Sequence, residues 1–262
     1  MEWFEALVLG LIQGLTEFLP VSSSAHLEIT KNLFGISGEE NLYFSVLVHG
    51  GTVLSTLVVF RKEIIQLAAG AFKFKYNEET DYILKIAVST IPVFIIGIFF
   101  KDYIESFFDG ESLVFVGSML LITALILTFT FFYKPKRQRK INFIDAFVIG
   151  ISQAIAVLPG ISRSGATIST GLILGNNKSE VAQFSFLMVL IPILGENFLS
   201  IISKAYDSAS IPMSSLIIGF LASFLSGLFA CKVMLNIVRK GKLIWFAIYC
   251  AIVGLISIFV LG

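Results

Sequence analysis

Charge is what this sequence has least of. Asp, Glu, Lys and Arg make up 14% of its 262 residues against 56% hydrophobic, and mean hydropathy is +0.89. Charged residues are about a quarter of an ordinary soluble domain, so that class is excluded. No one sign accumulates: the net charge is +1, which argues neither for nor against a nucleic-acid partner. Cysteine is down to Cys231 and Cys250, in apolar runs without metal-ligand spacing. They read as buried small hydrophobes rather than as ligands. The start, Met1-Glu2-Trp3-Phe4-Glu5, lacks the basic stretch of a signal peptide and is expected to be retained. The many phenylalanines are expected in lipid or core, with no base-stacking role and no nucleic acid to stack on.

What the chain does have is an internal copy of itself, displaced by about 140 positions. The shift pairs Ala6 with Ala146, Val8 with Val148, Gly10 with Gly150 and Gln13 with Gln153. Glu5 falls on Asp145, Ser22 and Ser24 on Ser162 and Ser164, Thr30 on Thr170, and Phe44-Ser45 on Phe184-Ser185. Residues 1–133 and 141–262 are read as two repeats within one membrane domain, joined by the basic stretch 134–140.

Six segments are apolar enough to cross a bilayer, which takes about 20 residues. They are Tyr43–Phe60, Ile83–Phe100, Ser112–Tyr133, Val181–Ile202, Met213–Val238 and Leu243–Leu261. Basic breaks near 61–82, 134–140 and 239–242 alternate with acidic or neutral ones near 34–42, 101–111 and 204–212. The positive-inside rule places the basic set in the cytoplasm. Two apolar stretches remain, Trp3–Leu19 and Phe143–Leu158, each running into a proline, a serine cluster and a second short apolar run. They are read as re-entrant helix–loop–helix hairpins; the plainer reading makes them two further spans. The expected fold is therefore an all-α polytopic membrane protein with about six transmembrane helices and two re-entrant hairpins. Three spans per repeat would invert the second copy, so that the two hairpin tips meet near the midplane around a polar pocket.

The first tip contains Gln13 and Glu17, one helical turn apart, then Pro20-Val21-Ser22-Ser23-Ser24-Ala25-His26. The second contains Pro159-Gly160-Ile161-Ser162-Arg163-Ser164-Gly165-Ala166-Thr167. An arginine near the bilayer centre costs about 2.5–3.5 kcal/mol on insertion scales, so Arg163 needs a reason to be there. One reason is a structural ion pair with Glu17. The other is an oxyanion clamp, in which Arg163 acts with Ser162, Ser164 and Thr167 and the free N–H groups of a helix start. The first tip offers a carboxylate, a hydroxyl and a histidine, the parts of a nucleophile with an acid–base partner. Serines alone would be helix caps, and a lone histidine a core residue.

These two motifs together resemble the undecaprenyl-diphosphate phosphatases, the bacitracin-resistance family, and the likeness runs the length of the chain. The resemblance implies hydrolysis of undecaprenyl diphosphate to the monophosphate and phosphate, recycling the lipid carrier of cell-wall synthesis. It implies a multi-pass protein of the bacterial plasma membrane that depends on a divalent cation, Mg²⁺ or Ca²⁺. It makes Glu17, Ser23, His26 and Arg163 the catalytic residues, with Gln13, Ser22, Ser162, Ser164 and Thr167 binding the substrate phosphates. The family's first motif begins with Glu or Gln, and Gln13 here leaves Glu17 as the one carboxylate for a metal.

In this reading Ser23 is the nucleophile and His26 shuttles its proton, while Glu17 orients His26 or ligates the cation; attack by a metal-activated water is the other route. The site is expected to open externally. His49 is set aside as a packing residue, since its counterpart is Val189, and Glu196 is left outside the site. The competing class is a carrier for phosphorylated polyprenyl lipids, which needs the clamp but no nucleophile.

Overall fold

The computed structural model describes residues 1–36, 39–100, 112–133, 135, 138–195 and 211–261, with the backbone alone at 39–42. Among these the secondary structure is helical, apart from one isolated bridge between Arg139 and Asn176. The helices are α1 (Trp3–Phe18), α2 (Ser23–Phe34), α3 (Glu39–Val59), α4 (Arg61–Ala71), α5 (Glu78–Phe99), α6 (Leu113–Phe132), α7 (Phe143–Ile155), α8 (Arg163–Ile173), α9 (Lys178–Met188), α10 (Met213–Lys240) and α11 (Ile244–Ile256). A π-helical turn, Ser257–Leu261, extends α11. Among the described residues five helical stretches are long and apolar enough to span a membrane: Glu78–Phe99, Leu113–Phe132, Lys178–Gly195, Met213–Lys240 and Ile244–Leu261. A sixth is Tyr43–Val59 if it counts together with α4, from which it is bent by 74°. The chain is an all-α membrane protein.

The sequence marks the helix ends. Asn77, Asn142, Ser162 and Asn177 each stand just before a helix and accept a hydrogen bond from a first-turn N–H. Gly35 and Gly241 close α2 and α10 in the left-handed region, at φ 66° and 68°. Two expectations change. The break after Phe60 is not a loop: Arg61-Lys62-Glu63 opens α4, because Ile64–Ala69 holds no helix breaker. The basic stretch is not a free linker at its end either. Arg139 bonds both Asp145 carboxylate oxygens at 2.6 and 2.8 Å and exchanges backbone hydrogen bonds with Gly175 and Asn177. Asp145 itself is buried.

At 1.5 Å rise per residue, α1, α2, α7 and α8 are about 24, 18, 20 and 17 Å long, all short of a ~30 Å hydrocarbon core. Each pair forms a helix–turn–helix unit, and their long packing partners lie in the opposite half of the chain. Helix α1 runs along α10, and α7 along α5. Both contacts are made through glycine: a Cβ on Gly10 would meet the Gly219 carbonyl, and one on Gly150 would meet that of Ser89. Helices α6 and α11 close the other side, with Gly117 against Gly254. The buried apolar core, including Phe184, Leu120, Ile168, Met188 and Met234, surrounds the place where the two turns meet.

Candidate active site

The two turns touch directly. The Gly160 N–H lies 3.4 Å from Ser24 Oγ, and Ser164 Oγ donates to the Leu19 carbonyl at 3.1 Å. Cys250 Sγ reaches the Pro20 carbonyl at 3.6 Å. Both turns need unusual backbone. Gly160 has φ +98°, and Ser22 has φ 67°, a region that costs a residue with a side chain roughly 1–3 kcal/mol. Ser22 is held there by several bonds. Its Oγ accepts from Ala25 N at 3.3 Å and lies 3.1 Å from Ser24 Oγ, while its carbonyl accepts from His26 Nδ1 at 2.8 Å.

This turn aims Ser23, the first residue of α2, at Glu17 near the end of α1. Ser23 Oγ donates to Glu17 Oε2 at 2.6 Å, and Gln13 Nε2 donates to the same oxygen at 2.9 Å. His49 Nε2 stands 3.7 Å from it. All three fall on Oε2, and Oε1 has no such partner among the described residues. The carboxylate is nearly sequestered, with its side chain 11% exposed.

On the opposite wall, Ser162 caps α8 by accepting from Gly165 N at 3.1 Å, and its own N–H donates to Thr123 Oγ1 at 3.0 Å. Ser162 Oγ and Ser164 Oγ are 3.3 Å apart. Thr167 Oγ1 bonds the Arg163 carbonyl at 2.8 Å and lies 2.5 Å from Ser185 Oγ. Arg163 starts α8, and it lines one cleft with Glu17, Ser164, Ser185, Thr52 and Thr56 under an apolar wall that includes Phe18, Phe186 and Val189. Its guanidinium makes no ion pair or hydrogen bond with the described residues. The ion pair with Glu17 entertained from sequence is therefore not formed: the two groups share the cleft without touching.

Gln13, Glu17, Ser22, Ser23, Ser162, Arg163, Ser164 and Thr167 thus surround the meeting point of the turns. His26 is close in sequence but directed elsewhere. Its Nδ1 is taken by the Ser22 carbonyl and its Nε2 by Tyr249 Oη at 2.7 Å. The two rings stack, 5.5 Å between centroids. The proton of Ser23 points to Glu17, not to His26. Sequence reasoning missed His49, Tyr249 and Ser185. The signal for Ser185 was present in the Phe44-Ser45 and Phe184-Ser185 match, and Val189, the counterpart that seemed to demote His49, itself lines the cleft. Glu196 lies outside the described residues.

Residues 6–256 match the family described as bacitracin resistance protein BacA. The chain belongs to this family. It is 59% identical over 263 residues to an undecaprenyl-diphosphatase of Bacteroides fragilis, covering 99% of this chain and 98% of that protein. An undecaprenyl-diphosphatase of Bacteroides thetaiotaomicron is 59% identical over 258 residues, 97% of each chain. More distantly, one from Carboxydothermus hydrogenoformans is 43% identical over 259 residues, 97% of this chain and 95% of the other. These three alignments cover 97–99% of the chain, so both helix–turn–helix units and the cleft between them fall within the similarity.

Proposed function

We infer that the chain is an undecaprenyl-diphosphate phosphatase, which returns the lipid carrier of cell-wall synthesis to its monophosphate. The observation that carries the mechanism is the 2.6 Å hydrogen bond from Ser23 Oγ to Glu17 Oε2, in a cleft shared with an arginine that has no ion pair or hydrogen bond among the described residues. Arg163 and the N–H groups opening α8 receive the terminal phosphate oxygens. Ser23 Oγ attacks the terminal phosphorus as its proton passes to Glu17. The bond to the bridging oxygen breaks, and undecaprenyl phosphate leaves. Glu17 passes that proton to solvent. Water then attacks the phosphoserine, losing one proton to Glu17, which delivers it to Ser23 Oγ as the serine–phosphorus bond breaks and phosphate leaves. Charge grows on the phosphoryl oxygens, where a fixed guanidinium stabilises it most. His26, tied to Ser22 and Tyr249, holds the turn that aims Ser23.

A divalent cation fits the residues present. Glu17 lines the cleft and its Oε1 is unpaired among the described residues, while Gln13 is fully buried and its Oε1 has no partner among them, which gives two oxygen donors of the kind hard cations take. Glu17 and Gln13 would hold it, and when bound it would offset phosphate charge. A carrier for the same lipid would use Arg163 but has no need of a hydroxyl paired to a carboxylate.

The short helices α1–α2 and α7–α8 act as re-entrant hairpins of an inverted repeat in the plasma membrane, the first entering from the outer face, so the cleft opens outward. Their lengths and their crossed packing on α10 and α5 support this reading. Phosphate release from undecaprenyl diphosphate by purified protein in detergent, with Mg²⁺ or Ca²⁺, tests the activity. No release at any cation concentration would favour the carrier.

A further inference from the structure

We propose that His49 is a ligand of the divalent cation, completing a Gln13–Glu17–His49 site that prefers a transition metal to Ca²⁺. The proposal rests on the cation dependence inferred above and adds a residue and a selectivity to it.

The geometry sets an imidazole nitrogen against a carboxylate oxygen. His49 Nε2 faces Glu17 Oε2 at 3.7 Å. Two ligands at about 2.1 Å from one octahedral ion stand roughly 3.0 Å apart, so a modest closure brings both into range. The other ring nitrogen, Nδ1, lies 2.8 Å from the Ser45 carbonyl, one turn back in α3. That bond puts the proton on Nδ1 and leaves a lone pair on Nε2, the arrangement by which proteins orient a ligating imidazole.

The second observation is independent. Gln13 is wholly buried, its Nε2 bonds Glu17 Oε2, and its Oε1 has no hydrogen-bond partner. An orphaned buried amide oxygen is costly, and a cation would satisfy it. Helix α10 packs on α3 and presents serine rather than charge there: Ser223 Oγ bonds the Val48 carbonyl at 2.6 Å. The ligand set is two oxygens and one imidazole nitrogen. Sites made of carboxylate and carbonyl suit Mg²⁺, Ca²⁺ and Mn²⁺, whereas an imidazole shifts affinity toward transition metals such as Fe²⁺, Ni²⁺ and Zn²⁺. Gln13 supplies no charge, so the nitrogen compensates for a second carboxylate.

The test is direct because the chain holds only two histidines. Untagged protein in detergent, without substrate, is loaded with Mn²⁺ and examined by electron paramagnetic resonance. Modulation from an imidazole nitrogen is expected in the unmodified chain and in His26→Gln, and its loss in His49→Gln. Mn²⁺ binding should weaken at least tenfold in His49→Gln, with little change for Ca²⁺. No nitrogen coupling in the unmodified chain would overturn the proposal whether or not the variants fold. Coupling that survives His49→Gln would do the same. Because no substrate is present, a nitrogen-bound Mn²⁺ in a protein that fails to release phosphate would sink the phosphatase reading and leave this site standing.

Discussion

Ser23 and Glu17 are six positions apart in sequence and on different helices, yet Ser23 Oγ donates to Glu17 Oε2 at 2.6 Å. The turn Leu19–Ser22 brings them together, and its cost is borne by Ser22 at φ 67°. The chemistry proposed for the first helix–turn–helix unit comes down to this pair. Ser23→Ala should lower kcat by a factor of 10³ or more while substrate still binds. Glu17→Gln should cost about 10²–10⁴, the usual contribution of a positioned general base. Single-turnover kinetics with separate binding measurements checks both. Substantial turnover in Ser23→Ala would transfer the attack to water.

Arg163 makes no ion pair or hydrogen bond with the described residues, so its substitution should act on the substrate more than on the fold. Arg163→Ala and Arg163→Lys should both reduce kcat/KM by at least 10²-fold. Lysine keeps the charge but lacks the planar fork that grips two phosphate oxygens. Near-normal turnover in Arg163→Lys would mean that a point charge suffices.

Gly150 is a purely structural test. A Cβ there would run into the Ser89 carbonyl across the α5–α7 contact. Gly150→Ala should destabilise the protein by about 1–3 kcal/mol, the usual effect of overpacking. Thermal denaturation in detergent would record it as a lower midpoint, with activity per folded molecule preserved. An unchanged midpoint would show that α7 can move away from α5.

Asp145 is buried, whereas Arg139 is nearly half exposed. The two substitutions should therefore differ. Asp145→Ala leaves a solvated arginine but removes the acceptors of Asn176 and the Asn142 N–H. Arg139→Ala strands a buried carboxylate and should cost more, about 3 kcal/mol or above. Stability of the two single variants and the double one, measured in one detergent, gives the coupling directly. Equal single costs would contradict it.

Orientation is open to labelling in cells. In a background without Cys231 and Cys250, an impermeant maleimide should modify Asn32→Cys, at the end of the first hairpin. Gln138→Cys should stay unmodified until the cells are opened. The reverse pattern would put the catalytic hairpin on the inner face.

Much of this was legible beforehand because bilayer thickness and the internal repeat both leave marks that survive in composition. Five of the six expected spans coincide with helices to within about five residues, while the end of Val181–Ile202 lies outside the described residues; Ser22 and Ser162, which the repeat pairs, both cap helices. Contacts between distant helices leave no such mark. His49 sits in an apolar run, and nothing local reveals that α3 delivers it to Glu17. Tyr249 is 223 positions from His26, and only packing of α11 against the first turn explains their stacking. The helix α4 was hidden by its opening charges, which read as a membrane boundary and conceal a helix lying beyond it.

The crossed packing of α1 on α10 and of α7 on α5 bears on how such a chain is made. Helix α1 leaves the ribosome early, but Gly219, which it must meet, comes roughly 200 residues later. At ~5–20 residues per second that is a wait on the order of 10–40 s. During this interval α1 carries Gln13 and Glu17 into the bilayer with neither α10 nor the second turn to shield them. The membrane insertion machinery, or lipid headgroups drawn inward, must stand in for the missing half. Truncating the chain after residue 133 should therefore yield a first half that is degraded rather than stored.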